Sequence, residues 1–415
     1  MVPGINQGPR SRVSQELSAT DKRTSPMSPA TLTDEEQVIA AFPASGHGSL
    51  RVREASSSDE PRWAEFVDAH PGAMIYHHPA WVAALQEEYG RKSSTLICED
   101  GEGRLRGVLS LLETRGLPFN WNGNATGRRL ASLPRTPLAG PLALDQEAAA
   151  ELLNAASRRV SAHPGRQLQV KSLDDSLSTH IPALAMAPWK DIYVLDLPPH
   201  PSELSWGSKE KRHRIRWAVN RAIKSGVEVR EAGSESDLRA WYQLYLETMR
   251  WHGSLPRPYR FLQSLWNRLR PLGRMTLLLA EHRQPPEQAP VLLAGYLLLM
   301  CGQTMHCYLN GRRRDSLALH PNDLLQWHAI HEACRLGFRS YDFGEVEAGQ
   351  RGLAEFKTKW GAKPVPSFRY YYPATRRLPA QSASPGLAYS LATRMWRYMP
   401  LPATAAVGDW LYSYL

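Results

Sequence analysis

HPNDLLQWHAIHEACRLGFRSYDFGEVEAGQRGLAEFKTKWGAKP, residues 320–364, is the stretch whose order of parts decides the fold. A capped amphipathic helix starts at Pro321, where proline suits a first turn. It leads into a short strand ending in Tyr341-Asp342-Phe343-Gly344. A Gly-rich turn follows, and then a second helix carries Phe356, Lys357, Trp360 and Gly361.

Working outward from this stretch, the segment before it holds three β runs, RMTLLLAEH, VLLAGYLLLMCG and TMHCYLNG. Two helices precede them, about Ser236–Trp251 and Arg257–Leu269. The strand VEVREA and a long basic helix over about 203–225 come earlier still. SFRYYY closes the region as a strand. The first half has the same grammar. LRVREA reads as a strand, and Asp59–Ala69 as a helix with Trp63, Phe66 and Val67 on one face. His78-Pro79 opens a second helix. STLICED and RGVLSLLETRG form a hairpin around Asp100-Gly101-Glu102-Gly103. A helix over about Gln146–Ala162, the strand QLQVKSL and the strand IYVLDL (192–197) complete it. Each half therefore orders as strand, helices, hairpin, helix, strand. The expected fold is α/β (α+β) with mixed sheets flanked by helices, because hairpins between helices exclude a purely parallel sheet. The expected domains are 49–199 and 200–375, after a disordered leader at 1–48 and before a Pro-containing amphipathic tail at 376–415.

The chain has 415 residues, 42% of them hydrophobic, which is ample for two cores. Its net charge of +10 favours anionic partners such as phosphorylated cofactors, nucleic acid or an anionic membrane. The charge alone does not choose among them. No zinc spacing, RNP-like aromatics or recognition helix supports a DNA-binding role. The cysteines Cys98, Cys301, Cys307 and Cys334 form no C-x-x-C pair and read as buried thiols. His331 and Cys334 share a helix face but lack a second ligand pair, so no metal is expected. No secretory signal is visible and Val291–Cys301 is too short to span a bilayer, so the expected location is cytoplasmic. The tail mixes aromatics with Arg394 and Arg397. It reads as two short docked helices, or as an interfacial contact at the inner face of the membrane.

The spaced set Pro321, Asn322, Leu324, Trp327, Gly337, Tyr341-Asp342-Phe343-Gly344, Phe356, Lys357 and Gly361 resembles the second domain of FemAB-like members of the GNAT N-acyltransferase superfamily. HHPAW-x-x-A-L at His77–Leu85 and ASLP-x-x-P-x-x-GPL at Ala131–Leu142 resemble the first domain. The subgroup found with bacterial exopolysaccharide and exosortase systems, which carries a CelD-type acetyltransferase domain, is the most similar. The resemblance implies tandem GNAT-like domains, with the acyl-donor site in the second. It implies that the strand TMHCYLNG splays from its neighbour and that Gly311–Ser316 lies at the donor's phosphates. Arg312, Arg313, Arg314, Asn310 and Asn322 are then the cofactor-binding candidates, with acyl-CoA, acetyl-CoA included, as co-substrate. The sequence departs from the family here, since RRRDS lacks the usual glycines and its arginines would grip phosphate by side chain.

Asp342 and Glu345 are the general-base candidates, as strand-end carboxylates able to take an ammonium proton. By resemblance, Lys357 stabilises negative charge near the donor. Tyr308, which shares a strand face with His306, is a candidate to protonate a departing thiolate. Tyr76, His77 and Trp81 form an aromatic cluster suited to a sugar or polar acceptor, and Arg212 and Arg216 lie on the basic helix. Asn120, Asn122, Asn124 and Arg129 sit in a loop that could reach the second domain. The function implied is N-acyl transfer to an amine of a cell-envelope or exopolysaccharide precursor, an activated sugar or lipid-linked glycan. Direct attack is expected, since no nucleophile motif stands beside a histidine. Two alternatives remain: an aminoacyl-tRNA donor with a peptidoglycan-like acceptor, and a non-catalytic GNAT-fold scaffold of a polysaccharide or membrane assembly.

Overall fold

Two mixed sheets share their strands across the halves of the chain. The computed structural model describes residues 49–91, 93–114, 129–163, 165–181, 183–206, 208–283, 289–374 and 394–412. The expected leader, the loop residues Asn120, Asn122 and Asn124, and residues 375–393 of the tail lie outside them. In chain order the strands are β1 (Arg51–Glu54), β2 (Ser94–Glu99), β3 (Leu105–Thr114), β4 (Arg129–Ala131), β5 (Leu142–Ala143), β6 (Gln167–Ser172) and β7 (Ala185–Pro188). They continue as β8 (Asp191–Asp196), β9 (Val227–Glu231), β10 (Met275–His282), β11 (Val291–Cys301), β12 (Thr304–Arg312), β13 (Ser340–Val346), β14 (Lys363–Val365) and β15 (Phe368–Tyr372). The main helices are α1 (Glu60–Ala69), α2 (Pro79–Tyr89), α3 (Gln146–Ser161), α4 (Lys209–Lys224), α5 (Glu235–His252), α6 (Tyr259–Leu269), α7 (Pro321–Arg335), α8 (Arg351–Lys359) and α9 (Leu401–Tyr412).

The first sheet runs β1-β2-β3-β4-β6-β15-β7, with β5 beside β3. The second, read from its far edge, runs β9-β10-β11-β12-β13-β8-β14. Each begins with antiparallel pairs and reaches one parallel pair, β4 with β6 in the first and β12 with β13 in the second. The repeat read from the element order is thus present in the sheets. The sheets do not divide the chain at residue 199, however. Strand IYVLDL, expected to close the first domain, is β8 and pairs with β13 and β14 of the second sheet. β15, from the far end of the second half, pairs with β6 and β7 of the first. Each sheet is completed by a strand from the other half. A strand's alternation reports which face is buried, not which neighbour it pairs with.

The helices form where sequence and caps coincide. Asp145 caps α3 by accepting from the Ala148 amide, and Leu152, Leu153, Ala156 and Val160 line its buried stripe. Ser234 caps α5 at Asp237, and Gly253, at φ 68°, ends it in the left-handed turn that glycine allows. The basic helix begins at Lys209 rather than near 203, because Ser208 caps it by accepting from Lys211 N–H. Before it, Trp206 is buried, its ring 5.7 Å from Trp327 and 5.3 Å from Trp360. Near the other end of the chain, α9 docks on the loop after α5. Gly408 is closed in by Pro256, and Tyr412 is buried, whereas Met395 and Tyr398 of the same tail are exposed.

One ion network ties β1 to α1 and β2. Arg53 grips Asp59 with two bonds of 2.8 Å and Glu99 with bonds of 2.9 and 3.0 Å. These contacts, and the Ser56 amide, hold the Asp59 carboxyl far below its ordinary range. Charge-assisted bidentate bonds are the strong kind, so Asp59→Asn is expected to lower stability by about 2 kcal/mol at pH 7. A depressed carboxyl adds stability above its unfolded value and loses it as pH falls. The difference between the proteins should therefore shrink below about pH 4. Urea melts at pH 7 and pH 3.5 check this, and an equal difference at both would contradict it.

Candidate active site

His306 and Asp342 are register partners on the adjacent parallel strands β12 and β13. Partnered residues project to the same face of a sheet, and here the two side chains meet. His306 Nδ1 lies 2.9 Å from Asp342 Oδ2, with both residues buried. A carboxylate only accepts, so Nδ1 donates to it, and in the neutral imidazole Nε2 carries the lone pair. That Nε2 is buried and has no hydrogen-bond partner among the described residues. The second oxygen of Asp342 accepts the Gly344 amide at 2.6 Å. Both oxygens of Asp342 are thus engaged, one by His306 and one by the Gly344 amide. From sequence, Asp342 and Glu345 were the candidates for the general base.

Beyond this pair β12 and β13 share no further register. On its other side β13 shifts register against β8 between Asp342 and Glu345, around Gly344 at φ 79°. Lys357 of α8 holds the shifted segment. Its ammonium donates to the carbonyls of Gly344 at 2.8 Å and Glu345 at 3.0 Å, and burial lowers its pKa to about 8. Glu345 Oε1 is buried beside it without a hydrogen bond.

The opposite wall comes from the first half, α9 and the segment before α6. Tyr76 is buried 5.8 Å from the His306 ring and 6.5 Å from the Tyr308 ring, centroid to centroid. Trp81 backs both, edge-on to Tyr76 at 4.9 Å and to Tyr308 at 5.3 Å. Arg257, Arg135 and Tyr412 complete a cavity of about 270 Å3 that also receives His306, Tyr308 and Glu345. The Tyr308 hydroxyl is buried without a partner, and burial pushes its pKa well up, so it stays a proton donor.

Of the residues singled out from sequence, the cavity gathers Tyr76, Tyr308, Asp342 and Glu345. Trp81 and Lys357 support its walls from behind. His77 points elsewhere: its Nδ1 accepts the Met74 amide, and burial lowers its pKa to about 4. Arg212 and Arg216 are exposed on α4, away from the cavity. Asn310 is exposed at the end of β12, and Asn322 offers its carbonyl to the Tyr296 hydroxyl.

The loop expected at the donor's phosphates is arranged differently. Gly311 and Arg312 belong to β12, and Thr248 of α5 accepts from the Arg312 amide. Arg313 Nε sits 3.4 Å from Asp315, and Arg314 stacks 3.5 Å over the Trp251 ring. The first turn of α7 carries Asp323, which pairs with Lys359 and lies 3.4 Å from His320.

A larger cavity, about 660 Å3, is lined by the start of β10, the end of β11, Met305 and His328. Met305 and His306 face opposite sides of β12, so this cavity is separate from the dyad. The arginine and tyrosines at Arg257, Tyr245 and Tyr412 were not singled out from sequence. Nothing local marks them, because they lie on three separate segments.

Residues 209–358 match the family described as an acetyltransferase (GNAT) domain. This matched stretch holds His306, Asp342, Glu345 and Lys357. Among solved structures, FemX superposes with a TM-score of 0.61 at 15% identity, over 78% of this chain and 98% of FemX. L-PGS from Bacillus licheniformis gives 0.50 at 14% identity, over 83% of this chain and 98% of the other. At such identities the likeness concerns the fold, and it agrees with the expected tandem GNAT-like, FemAB-like architecture. No curated protein sequence matches.

Proposed function

We propose that this GNAT domain transfers an acyl group from acyl-CoA to an acceptor amine by direct attack, with His306 as general base. The single observation that carries this reading is the free Nε2 of His306, buried in a cavity and backed by Asp342. The amine nitrogen attacks the thioester carbonyl, a C–N bond forms and the C–S bond breaks. His306 Nε2 takes the nitrogen's proton, and the Tyr308 hydroxyl supplies one to the departing sulfur. Cys307, the thiol nearest this chemistry, is raised to about 11 by burial, which disfavours an acyl-enzyme. The stretch where β12 and β13 share no register supports a donor arm lying between them. An envelope or exopolysaccharide amine remains the acceptor class implied by the sequence resemblance.

One observation favours a second donor. Asp323 in the first turn of α7, paired with Lys359, occupies the helix end that a pyrophosphate would use. An aminoacyl-tRNA ester needs no such site. Isothermal titration of the full chain with acetyl-CoA, longer acyl-CoAs and aminoacyl-tRNA separates the two. Saturable binding of an acyl-CoA is the expected result. Binding of aminoacyl-tRNA alone would move the donor to the second reading, and binding of neither would overturn both.

A further inference from the structure

The cavity that holds the His306 dyad also holds two guanidinium groups, and neither has a role in proton transfer. Arg257 is only 4% exposed. One of its terminal nitrogens, Nη1, is buried without a hydrogen bond, and the other donates to the Arg135 carbonyl. Its guanidinium lies 4.7 Å from the Phe261 ring and 5.3 Å from that of Tyr412. The acid nearest to it is Glu88, at 3.6 Å, and both Glu88 oxygens themselves lack hydrogen bonds. A buried cation left this loosely satisfied is unfavourable unless something else completes it.

Arg135 stands at the cavity mouth. Its Nε donates to the Tyr412 hydroxyl at 2.7 Å, and among the described residues it makes no ion pair. The loop that presents it is held under strain. Leu133 and Arg135 both have positive φ, 54° and 55°, where residues with side chains are uncommon. The buried Lys171 clamps the loop by donating to the carbonyls of Leu133 and Thr136. Strain kept in place by buried bonds is a frequent mark of a ligand site.

One small cavity is therefore lined by Asp342 and Glu345 on one side of its charge balance and by Arg135 and Arg257 on the other. Its complement is a molecule with a cation and an anion close together. We propose that the acceptor is an amine carrying a carboxylate or phosphate, its nitrogen at His306 and its anionic group on Arg135 and Arg257. This rests on the acyl-transfer reading for the amine end only. About 270 Å3 admits a group the size of an amino acid or a sugar phosphate, with any larger remainder outside.

The test is isothermal titration of the full chain with matched amines: glycine against glycinamide, and glucosamine 6-phosphate against glucosamine. The anionic member of one pair should bind about tenfold tighter or better, as charge-assisted bonds allow. The pair that discriminates tells carboxylate from phosphate. The advantage should vanish in Arg135→Gln, whose exposed position leaves folding intact, and in Arg257→Gln if that variant melts cooperatively. Equal binding of charged and neutral members, binding of neither anionic probe, or an advantage surviving Arg135→Gln would overturn the proposal. Binding is read without turnover, so His306→Asn separates the two readings. An anion advantage retained there alongside full transferase activity would sink the catalytic role of His306 and leave the arginine clamp standing.

Discussion

Replacing His306 by asparagine should lower kcat about a thousandfold while KM for the acceptor changes little. A positioned general base contributes roughly a hundred- to ten-thousandfold. His306 Nε2, like Glu345 Oε1, is buried at the cavity without a hydrogen-bond partner among the described residues. Asn can keep a bond to Asp342 but cannot accept the amine proton. Asp342→Asn should have a smaller effect, about ten- to a hundredfold, because it removes the group that fixes the imidazole's tautomer and orientation. Since Asp342 acts through His306, its variant should shift the pH–rate profile, and the double variant should be little worse than His306→Asn alone. Steady-state kinetics of the three variants decide the matter. A His306→Asn protein that keeps a third of its kcat would remove the dyad from the mechanism. If Glu345→Gln then abolished turnover, the base would be Glu345.

Gly311→Ala should be strongly destabilising. A Cβ there would lie 2.6 Å from the Tyr245 backbone nitrogen and 3.0 Å from Leu244 C. Both are main-chain atoms of α5, so no side chain can swing aside. The helix would have to lift off β12, and overpacking of this kind costs about 3 kcal/mol or more. Gly352→Ala serves as the control. It lies inside α8 with nothing within 4 Å of a new Cβ and no positive φ, so it should be neutral or slightly stabilising. Urea denaturation midpoints of the two variants compare them directly. A loss below 1 kcal/mol for Gly311→Ala would mean the contact between α5 and β12 yields more easily than its geometry indicates. Gly311 was read from sequence as the first residue of a phosphate loop. Its absent side chain is required by helix packing.

Much of this architecture was legible along the chain. Strand and helix periods, the hairpin at Asp100–Gly103 and the repeated order of elements all survive in the sheets. Alternation along β12 put His306 and Tyr308 on one face. It could not reveal that Asp342, 36 residues on, is His306's register partner, because register between parallel strands is set by packing across a crossover helix. The arginines of 312–314 read as a phosphate grip; in the structure Arg313 lies beside Asp315 and Arg314 over the Trp251 ring of α5. Arg257 looks like one of many surface arginines until burial against Phe261 and Tyr412 sets it apart.

The sequence by itself determined the elements and their duplication, because these follow from local spacing of apolar, turn and capping residues; it pointed to an acyltransferase domain only through its resemblance to a known family. The tertiary structure alone decided the exchange of β8 and β15 between the sheets. It also decided the pairing of His306 with Asp342 and the meeting of Arg135, Arg257 and Tyr412 around one cavity. Those contacts join residues tens to hundreds of positions apart, where the free energy comes from burial and from satisfying polar groups in three dimensions, and no local pattern records it.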